Sequence, residues 1–183
     1  MEKERLNICY LLIGDQGTGK TTIADKLAAA SGKRRIVVDT DAHPFYAHYE
    51  VVNIEGLKRF KGDMCRCEDA NEDELFTALN THQRNAFIIF EDAAKYLSPN
   101  LSKSVISFIV DKRKRNFDIC FMFHSLADVP PYLCRNYQRM ILFKTQDNLK
   151  KELSKFSNWH IIVEKAQRIN KNKSHNYCET IFR

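Results

Sequence analysis

A glycine-rich segment, 14-GDQGTGKTT-22, constrains this chain more than any other feature of its sequence. It directly follows the apolar run 8-ICYLLI-13, which is typical of a buried strand, and it leads into a helical pattern over about 20–30. Glycines in such a loop allow backbone N–H groups to curl around a phosphate, and the helix that follows directs its positive end at the anion. The sequence therefore predicts a phosphate-binding loop between a strand and a helix.

The segment matches the pattern G-x-x-x-x-G-K-[ST] in full, with an additional glycine at position 17. In this pattern the lysine, here Lys20, reaches the β- and γ-phosphates, and the hydroxyl of Thr21 is a ligand for Mg²⁺. ATP and Mg²⁺ are therefore the predicted ligands. The predicted nucleotide-binding residues are Gly14, Asp15, Gln16, Gly17, Thr18, Gly19, Lys20, Thr21 and Thr22.

Two acidic residues follow a second buried strand, in 87-FIIFED-92. Such a strand delivers carboxylates to the carboxyl edge of the sheet, where open α/β sheets bind their ligands. We expect Glu91 to help hold Mg²⁺ and Asp92 to polarise the water that attacks the γ-phosphate. The usual order in enzymes with this loop is Asp then Glu. Because Asp is one methylene shorter than Glu, a water at Asp92 would have to lie closer or move with the backbone.

His124 lies at the end of the next predicted strand, 118-DICFMF-123. A polar side chain at this edge is able to contact the γ-phosphate or the attacking water, although a structural histidine is the alternative. The basic run 112-KRKR-115 precedes this strand. It is interpreted as a solvated face, as the source of an arginine finger for a neighbouring subunit, or as a contact to a nucleic-acid backbone.

Short apolar runs alternate with helical patterns along the chain, which indicates a mostly parallel sheet covered by helices. We expect one domain over residues 1–183, with a helix and a strand in 147–183 appended to the core, and loops with a short edge element in 42–72. Strands are predicted at 6–13, 35–39, 49–54, 86–90, 118–123, 139–143 and 177–182. Helices are predicted at 20–30, 72–82, 100–115 and 147–169.

Composition narrows the classes of protein that remain. The 183 residues carry a net charge of +6, which suits a nucleic-acid partner without requiring one. No apolar run approaches the roughly 18–20 residues that a membrane span needs, and the N-terminus does not resemble a secretory signal. Cys65 and Cys67 lack a second Cys/His pair at zinc-finger spacing, so metal binding there is left open. We expect a reduced protein in the cytoplasm or in a virion.

These motifs together resemble the HerA/FtsK superfamily of P-loop ATPases, and within it the small genome-packaging and Zot-like ATPases of viruses and mobile elements. The resemblance rests on 14-GDQGTGKT-21, 86-AFIIFEDA-93 and 113-RKRNFDICFMFHSLADVPPYL-133, and it covers roughly residues 6–145. Phe123-His124 stands where the family usually has Thr-Gln, so His124 would be the polar sensor. The inverted Glu91-Asp92 order is a second departure from the family pattern.

The resemblance implies an α/β P-loop NTPase fold of the RecA-like type, with an additional strand in the sheet. It also implies a Mg²⁺-dependent ATPase that works as a ring, commonly a hexamer, and that translocates or packages DNA. Viral capsid or conjugation proteins are candidate partners. No motif fixes the arginine finger; Arg113 and Arg115 match the basic segment best, and Arg135 and Arg139 are alternatives. The stretch 58-KRFKGDMCRC-67 is a candidate DNA contact.

Two other functions fit parts of the sequence. A small-molecule kinase would use 39-DTDAHPFY-46 as its substrate pocket, although a kinase has no hydrolytic water for tandem carboxylates to position. A nucleotide-gated, Zot-like assembly factor would use ATP as a switch, and it would need a partner for membrane attachment.

Overall fold

The computed structural model describes residues 7–69, 71–149 and 153–183, which contain eight strands, six α-helices and two short 3-10 helices (Pro44–Tyr46 and Ala93–Lys95). The strands are β1 (Cys9–Ile13), β2 (Arg34–Val38), β3 (Glu50–Val52), β4 (Met64–Cys67), β5 (Ala86–Phe90), β6 (Phe117–Phe123), β7 (Arg139–Leu142) and β8 (Glu179–Phe182). The helices are α1 (Lys20–Ser31), α2 (Ile54–Arg59), α3 (Glu72–His82), α4 (Lys103–Arg115), α5 (Pro131–Asn136) and α6 (Trp159–Lys171).

All eight strands belong to one sheet, in the order β3-β4-β2-β5-β6-β1-β7-β8. The neighbours from β3 to β7 pair in parallel, and β8 joins β7 antiparallel at the edge. Strand β6 lies between β1, which leads into the glycine loop, and β5, which leads into Glu91. This is the additional strand that was predicted, and the mostly parallel α/β fold is confirmed.

Both faces of the central strands are buried, because helices cover the sheet on each side. On one face Leu11, Ile88 and Phe121 pack against the apolar sides of α3, α4 and α6. On the other face Leu12 and Ile89 pack against α1. A strand that is buried on both faces must be apolar at every position, which explains why β1, β5 and β6 are continuous apolar runs.

The elements nearest the nucleotide loop agree with the sequence prediction, whereas three other regions differ. In 42–72 the expected loops contain α2 and also β4, which is paired on both sides, and the edge strand is β3. The break at Pro130-Pro131 begins the short helix α5. Of the helix predicted over 147–169, residues 150–152 lie outside the described residues; turns follow over 153–158, and α6 begins at Trp159. The first residue of the predicted strand 6–13, residue 6, is outside the described residues.

Candidate functional site

The glycine loop leads from β1 into α1, as predicted, and its first glycine fits between two other strands. The Gly14 N–H donates to the Phe123 carbonyl over 3.2 Å, and the Asp15 N–H donates to the Lys144 carbonyl over 2.7 Å. A Cβ atom at Gly14 would lie 2.6 Å from the Cβ of Phe143 and 2.8 Å from the Lys144 oxygen. A side chain has no room here, so glycine is required for the loop to stay fixed to the ends of β6 and β7.

The rest of the loop has the conformation that exposes backbone N–H groups. Gly17 and Gly19 have φ values of 75° and 94°, which side chains other than glycine rarely adopt. The buried Thr18 hydroxyl donates to the Asp15 carbonyl over 2.8 Å and braces the turn. Helix α1, all of whose residues the structure describes, has no acidic residue in its first turn, so its positive end is available to an anion.

Lys20 folds back into the loop. Its ammonium donates to the carbonyls of Gly14 (2.7 Å) and Asp15 (2.9 Å), and it lies 3.4 Å from Nδ1 of His124. Burial lowers the pKa of Lys20, and nearby carboxylates, led by Glu91, oppose that shift. A buried cation held among carbonyl oxygens is suited to receive phosphate oxygens.

Thr21 and Glu91 meet across β6, although they follow strands that are not neighbours. The Thr21 hydroxyl donates to Oε1 of Glu91 over 3.0 Å, and the buried Tyr46 hydroxyl donates to the same oxygen over 2.9 Å. Burial raises the pKa of Glu91, while the hydrogen bonds from Tyr46 and Thr21 lower it. A hydroxyl and a carboxylate beside a phosphate loop are hard oxygen ligands, which fit Mg²⁺.

Asp92 and His124 lie close to each other, and His124 also lies close to Lys20. Asp92 has a left-handed backbone (φ 44°), and its carboxylate lies 3.0 Å from the Lys95 ammonium. Nε2 of His124 is 3.7 Å from Oδ1 of Asp92. His124 therefore lies between Lys20 and Asp92, which places a polar ring between the phosphate loop and the second carboxylate.

The loop and these side chains border one cavity of about 340 Å³. It is lined by Gln16, Gly17, Gly19, Lys20, Thr21, Thr22, Asp39, Thr40, Asp41, His43, Phe45, Glu91, Asp92 and His124. The structure thus brings the predicted loop, Glu91, Asp92 and His124 together. The volume is of the order that small-molecule ligand sites have, about 300–1,000 Å³.

Residues 39–46 were predicted as a pocket only for the kinase alternative, yet five of them, Asp39, Thr40, Asp41, His43 and Phe45, line the same cavity. The Asp39 carboxylate accepts hydrogen bonds from the N–H groups of Asp41 (3.2 Å) and His43 (2.6 Å), and this turns the segment towards the loop. Tyr46 is part of that segment, but its hydrogen bond to Glu91 was not predicted. The one sequence signal for it is its place shortly after β2, a strand that ends at the same edge of the sheet.

The two candidate arginine fingers lie away from the cavity of their own chain. Arg113 and Arg115 are at the end of α4, just before β6 begins, while His124 follows the end of β6. Seven residues of strand separate the two ends, which corresponds to about 23 Å. Arg113 is exposed, and Arg115 donates to the Thr81 carbonyl. Neither residue is among those that line the cavity.

Cysteine pairs that bind metal and helices that span a membrane are two further features considered in the sequence analysis. Cys65 and Cys67 are buried in β4, and burial raises the pKa values of their thiols to about 12 and about 11. Within 7–69, 71–149 and 153–183, no group of three or more His, Cys, Asp or Glu residues is arranged to hold a metal ion. Among the helices of these same ranges, none has the length and apolarity to cross a membrane.

The sequence matches no protein-family model, and no curated protein is significantly similar to it in sequence. Solved structures are more informative. The genome packaging NTPase B204 from Sulfolobus turreted icosahedral virus 2, in complex with ATP-gammaS, matches with a TM-score of 0.77 at 14% identity, over 98% of this chain and 93% of that one.

Two further structures share the fold. VirB4 of Thermoanaerobacter pseudethanolicus matches with a TM-score of 0.59 at 10% identity, over 96% of this chain and 86% of that one. The N-terminal domain of zonular occludens toxin from Neisseria meningitidis matches with a TM-score of 0.52 at 13% identity, over 76% and 78%. This chain therefore has the P-loop NTPase fold of these proteins, in agreement with the predicted resemblance to HerA/FtsK-type ATPases.

Proposed function

We propose that this protein is a Mg²⁺-dependent ATPase that translocates or packages DNA, and that it works as a homo-oligomeric ring in the cytoplasm or in a virion. The observation that carries the hydrolytic part is the 3.0 Å contact between the Thr21 hydroxyl and Glu91 across β6. It joins the phosphate loop to the first carboxylate, which supports a hydroxyl and carboxylate pair that would hold Mg²⁺ beside the phosphates.

Each residue of the site has a distinct role in this proposal. The N–H groups of the loop and Lys20 bind the β- and γ-phosphates, and Thr21 and Glu91 would hold Mg²⁺. When bound, Mg²⁺ neutralises charge that develops on the phosphate oxygens. Asp92 orients and polarises the attacking water, and His124, between Lys20 and Asp92, contacts the γ-phosphate.

Support for DNA as the partner comes from the opposite edge of the sheet. Because β2, β4, β5 and β6 are parallel, their amino ends lie together, away from the phosphate loop. Exposed cations precede two of these strands: Arg59 and Lys61 lie before β4, and Arg84 lies before β5. Adjacent strands are about 4.8 Å apart, and we take these exposed cations as the contact for a phosphate backbone.

The fold neighbours support this choice of partner. The viral protein of the same fold is a genome packaging NTPase, and the fold match extends over almost the whole of both chains. In a ring, Arg113 or Arg115 would act as the finger towards the ATP of a neighbouring subunit, since neither reaches the cavity of its own chain. Capsid or conjugation proteins are the partners that a packaging or transfer role requires.

Two substitutions test the assignment of the site. Lys20→Ala should abolish ATP binding and hydrolysis together, because it removes the buried cation inside the loop. Asp92→Asn should lower kcat for ATP hydrolysis by about 100-fold or more, as for loss of a general base. The affinity for ATP should stay unchanged. Turnover of Asp92→Asn at the wild-type rate would show that another group positions the water.

A small-molecule kinase is the second candidate, because Asp41, His43 and Phe45 line the cavity beside the phosphate loop. In that case ATP would be consumed only with an acceptor such as a nucleoside. An assay of ATP consumption with and without nucleosides separates the two functions, since the ATPase proposed here needs no acceptor.

A further inference from the structure

We propose that the C-terminal segment 172–178, which joins α6 to β8, forms the nucleoside side of the ATP site, and that His175 and Asn176 contact the nucleoside. Nothing in the sequence motifs points to this segment. The inference rests on the proposed binding of ATP to the glycine loop and adds the part of the site that recognises the rest of the nucleotide.

The segment lies directly against the glycines of the phosphate loop. A methyl group at Gly17 would lie 3.8 Å from Nε2 of His175, and one at Gly19 would lie 3.9 Å from the side-chain amide of Asn176. Apart from the neighbours of these glycines in the chain, no other described atom comes within 4 Å of either position. The same glycines line the cavity. The loop therefore has the cavity on one side and the C-terminal segment beside it.

Contacts at both ends hold the segment in this place. At the α6 end, the Asn170 side chain donates to the Thr145 carbonyl (2.8 Å) and accepts from the Thr145 N–H (3.2 Å). Thr145 follows Lys144, the residue whose carbonyl binds the phosphate loop at Asp15. At the β8 end, Glu179 pairs with Arg168 and with Lys165, the latter over 3.1 Å. The glycine loop and the segment are thus fixed to the same support.

The side chains in the middle of the segment are free to bind a ligand. His175 and Asn176 are exposed, and no hydrogen bond connects either side chain with another residue in the described ranges. Asn176 offers both a donor and an acceptor, and the imidazole of His175 offers a ring face and a polar edge. In the proposed site, Lys20 and the loop N–H groups bind the phosphates. His175 and Asn176 would therefore contact the ribose and the base.

The test compares ATP with inorganic triphosphate, a ligand that has no nucleoside. In the full chain, the double substitution His175→Ala, Asn176→Ala should raise the Kd for ATP about tenfold, as expected for loss of one or two hydrogen bonds. The Kd for inorganic triphosphate should stay within about twofold of wild type. His160→Ala, an exposed histidine at the other end of α6, is the matched control and should change neither Kd.

The other outcomes are equally clear. Unchanged ATP affinity in the double variant would overturn the inference, and equal losses for both ligands would assign the segment to the phosphates instead of the nucleoside. If the double variant does not fold, the Kd values for ATP and for inorganic triphosphate are measured for Asn176→Ala alone, with the same expectations. A wild-type protein that binds neither ATP nor triphosphate would refute the proposed function itself, a result distinct from failure of this inference.

Discussion

Glu91 illustrates what single residues contribute to this site and how far the sequence reveals them. A carboxylate after an apolar strand is visible in the sequence, and so is the hydroxyl of Thr21. Their approach to 3.0 Å depends on β6 passing between their strands. Tyr46, the third member of the group, comes from a segment without periodic pattern and 45 positions away from Glu91. Only the folded chain shows that the Tyr46 hydroxyl donates to Glu91.

The Tyr46 hydroxyl should set the pH range in which Glu91 is available as a ligand. Burial raises the pKa of Glu91, and the hydrogen bond from Tyr46 lowers it. Removing that bond in Tyr46→Phe should raise the pKa further, so a higher pH is needed to ionise Glu91. The acidic limb of the pH profile of kcat for ATP hydrolysis should therefore move to higher pH.

Tyr49→Phe provides a matched control for this experiment. The Tyr49 hydroxyl donates to Oδ1 of Asp25 over 3.2 Å and makes no contact with Glu91. Its removal should leave the acidic limb in place. If the profile of Tyr46→Phe coincides with the wild-type profile, Glu91 is not the group that titrates there.

Among the elements, the phosphate loop depends most on strands that are distant in sequence. The loop, α1, α3, β5 and β6 were predicted correctly, because continuous apolar runs and helix periodicity are strong local signals. Strand β4 was missed, since 61-KGDMCRCEDANED-73 is dominated by charged residues. Nothing in the sequence indicates that the end of β7 closes around Gly14, because such contacts are set by the order of the strands.

Gly14→Ala tests whether the phosphate loop depends on its contacts with the end of β7. The added methyl group meets Phe143 and the Lys144 backbone at 2.6 and 2.8 Å, so the free energy of unfolding should fall by about 1–3 kcal/mol, as for overpacking. ATP affinity should fall as well, because the loop must move. Urea unfolding and ATP titration measure the two effects.

Gly32→Ala is the control that distinguishes loss of the contacts at Gly14 from the general effect of replacing a glycine. Gly32 ends α1 with φ 66°, and no atom of the described residues beyond its chain neighbours lies within 4 Å of the position that a methyl group would take. This change should cost roughly 1–2 kcal/mol from the left-handed backbone and leave ATP affinity unchanged. A Gly14→Ala protein that binds ATP as tightly as Gly32→Ala would show that the loop does not need its contacts to β7.

At the scale of the whole molecule, the proposed ATP site and the proposed DNA contact lie at opposite edges of the sheet. The carboxyl edge holds Asp39, Glu91 and Asp92 around the cavity together with Lys20, and the amino edge has exposed cations that include Arg59 and Arg84. Hydrolysis at one edge and a polyanion at the other would be coupled through the strands that connect them. The net charge of +6 suggested a nucleic-acid partner, but the sequence alone did not show that the cations gather at one edge.

The most direct test of the account is the steady-state rate of ATP hydrolysis with increasing duplex or single-stranded DNA. DNA should raise the rate, and salt should weaken the effect, since each phosphate contact contributes about −0.9 to the slope of log K against log salt for duplex DNA. A variant with Arg59→Ala, Lys61→Ala and Arg84→Ala should need more DNA for the same stimulation. A wild-type rate that neither form of DNA changes would contradict the motor function.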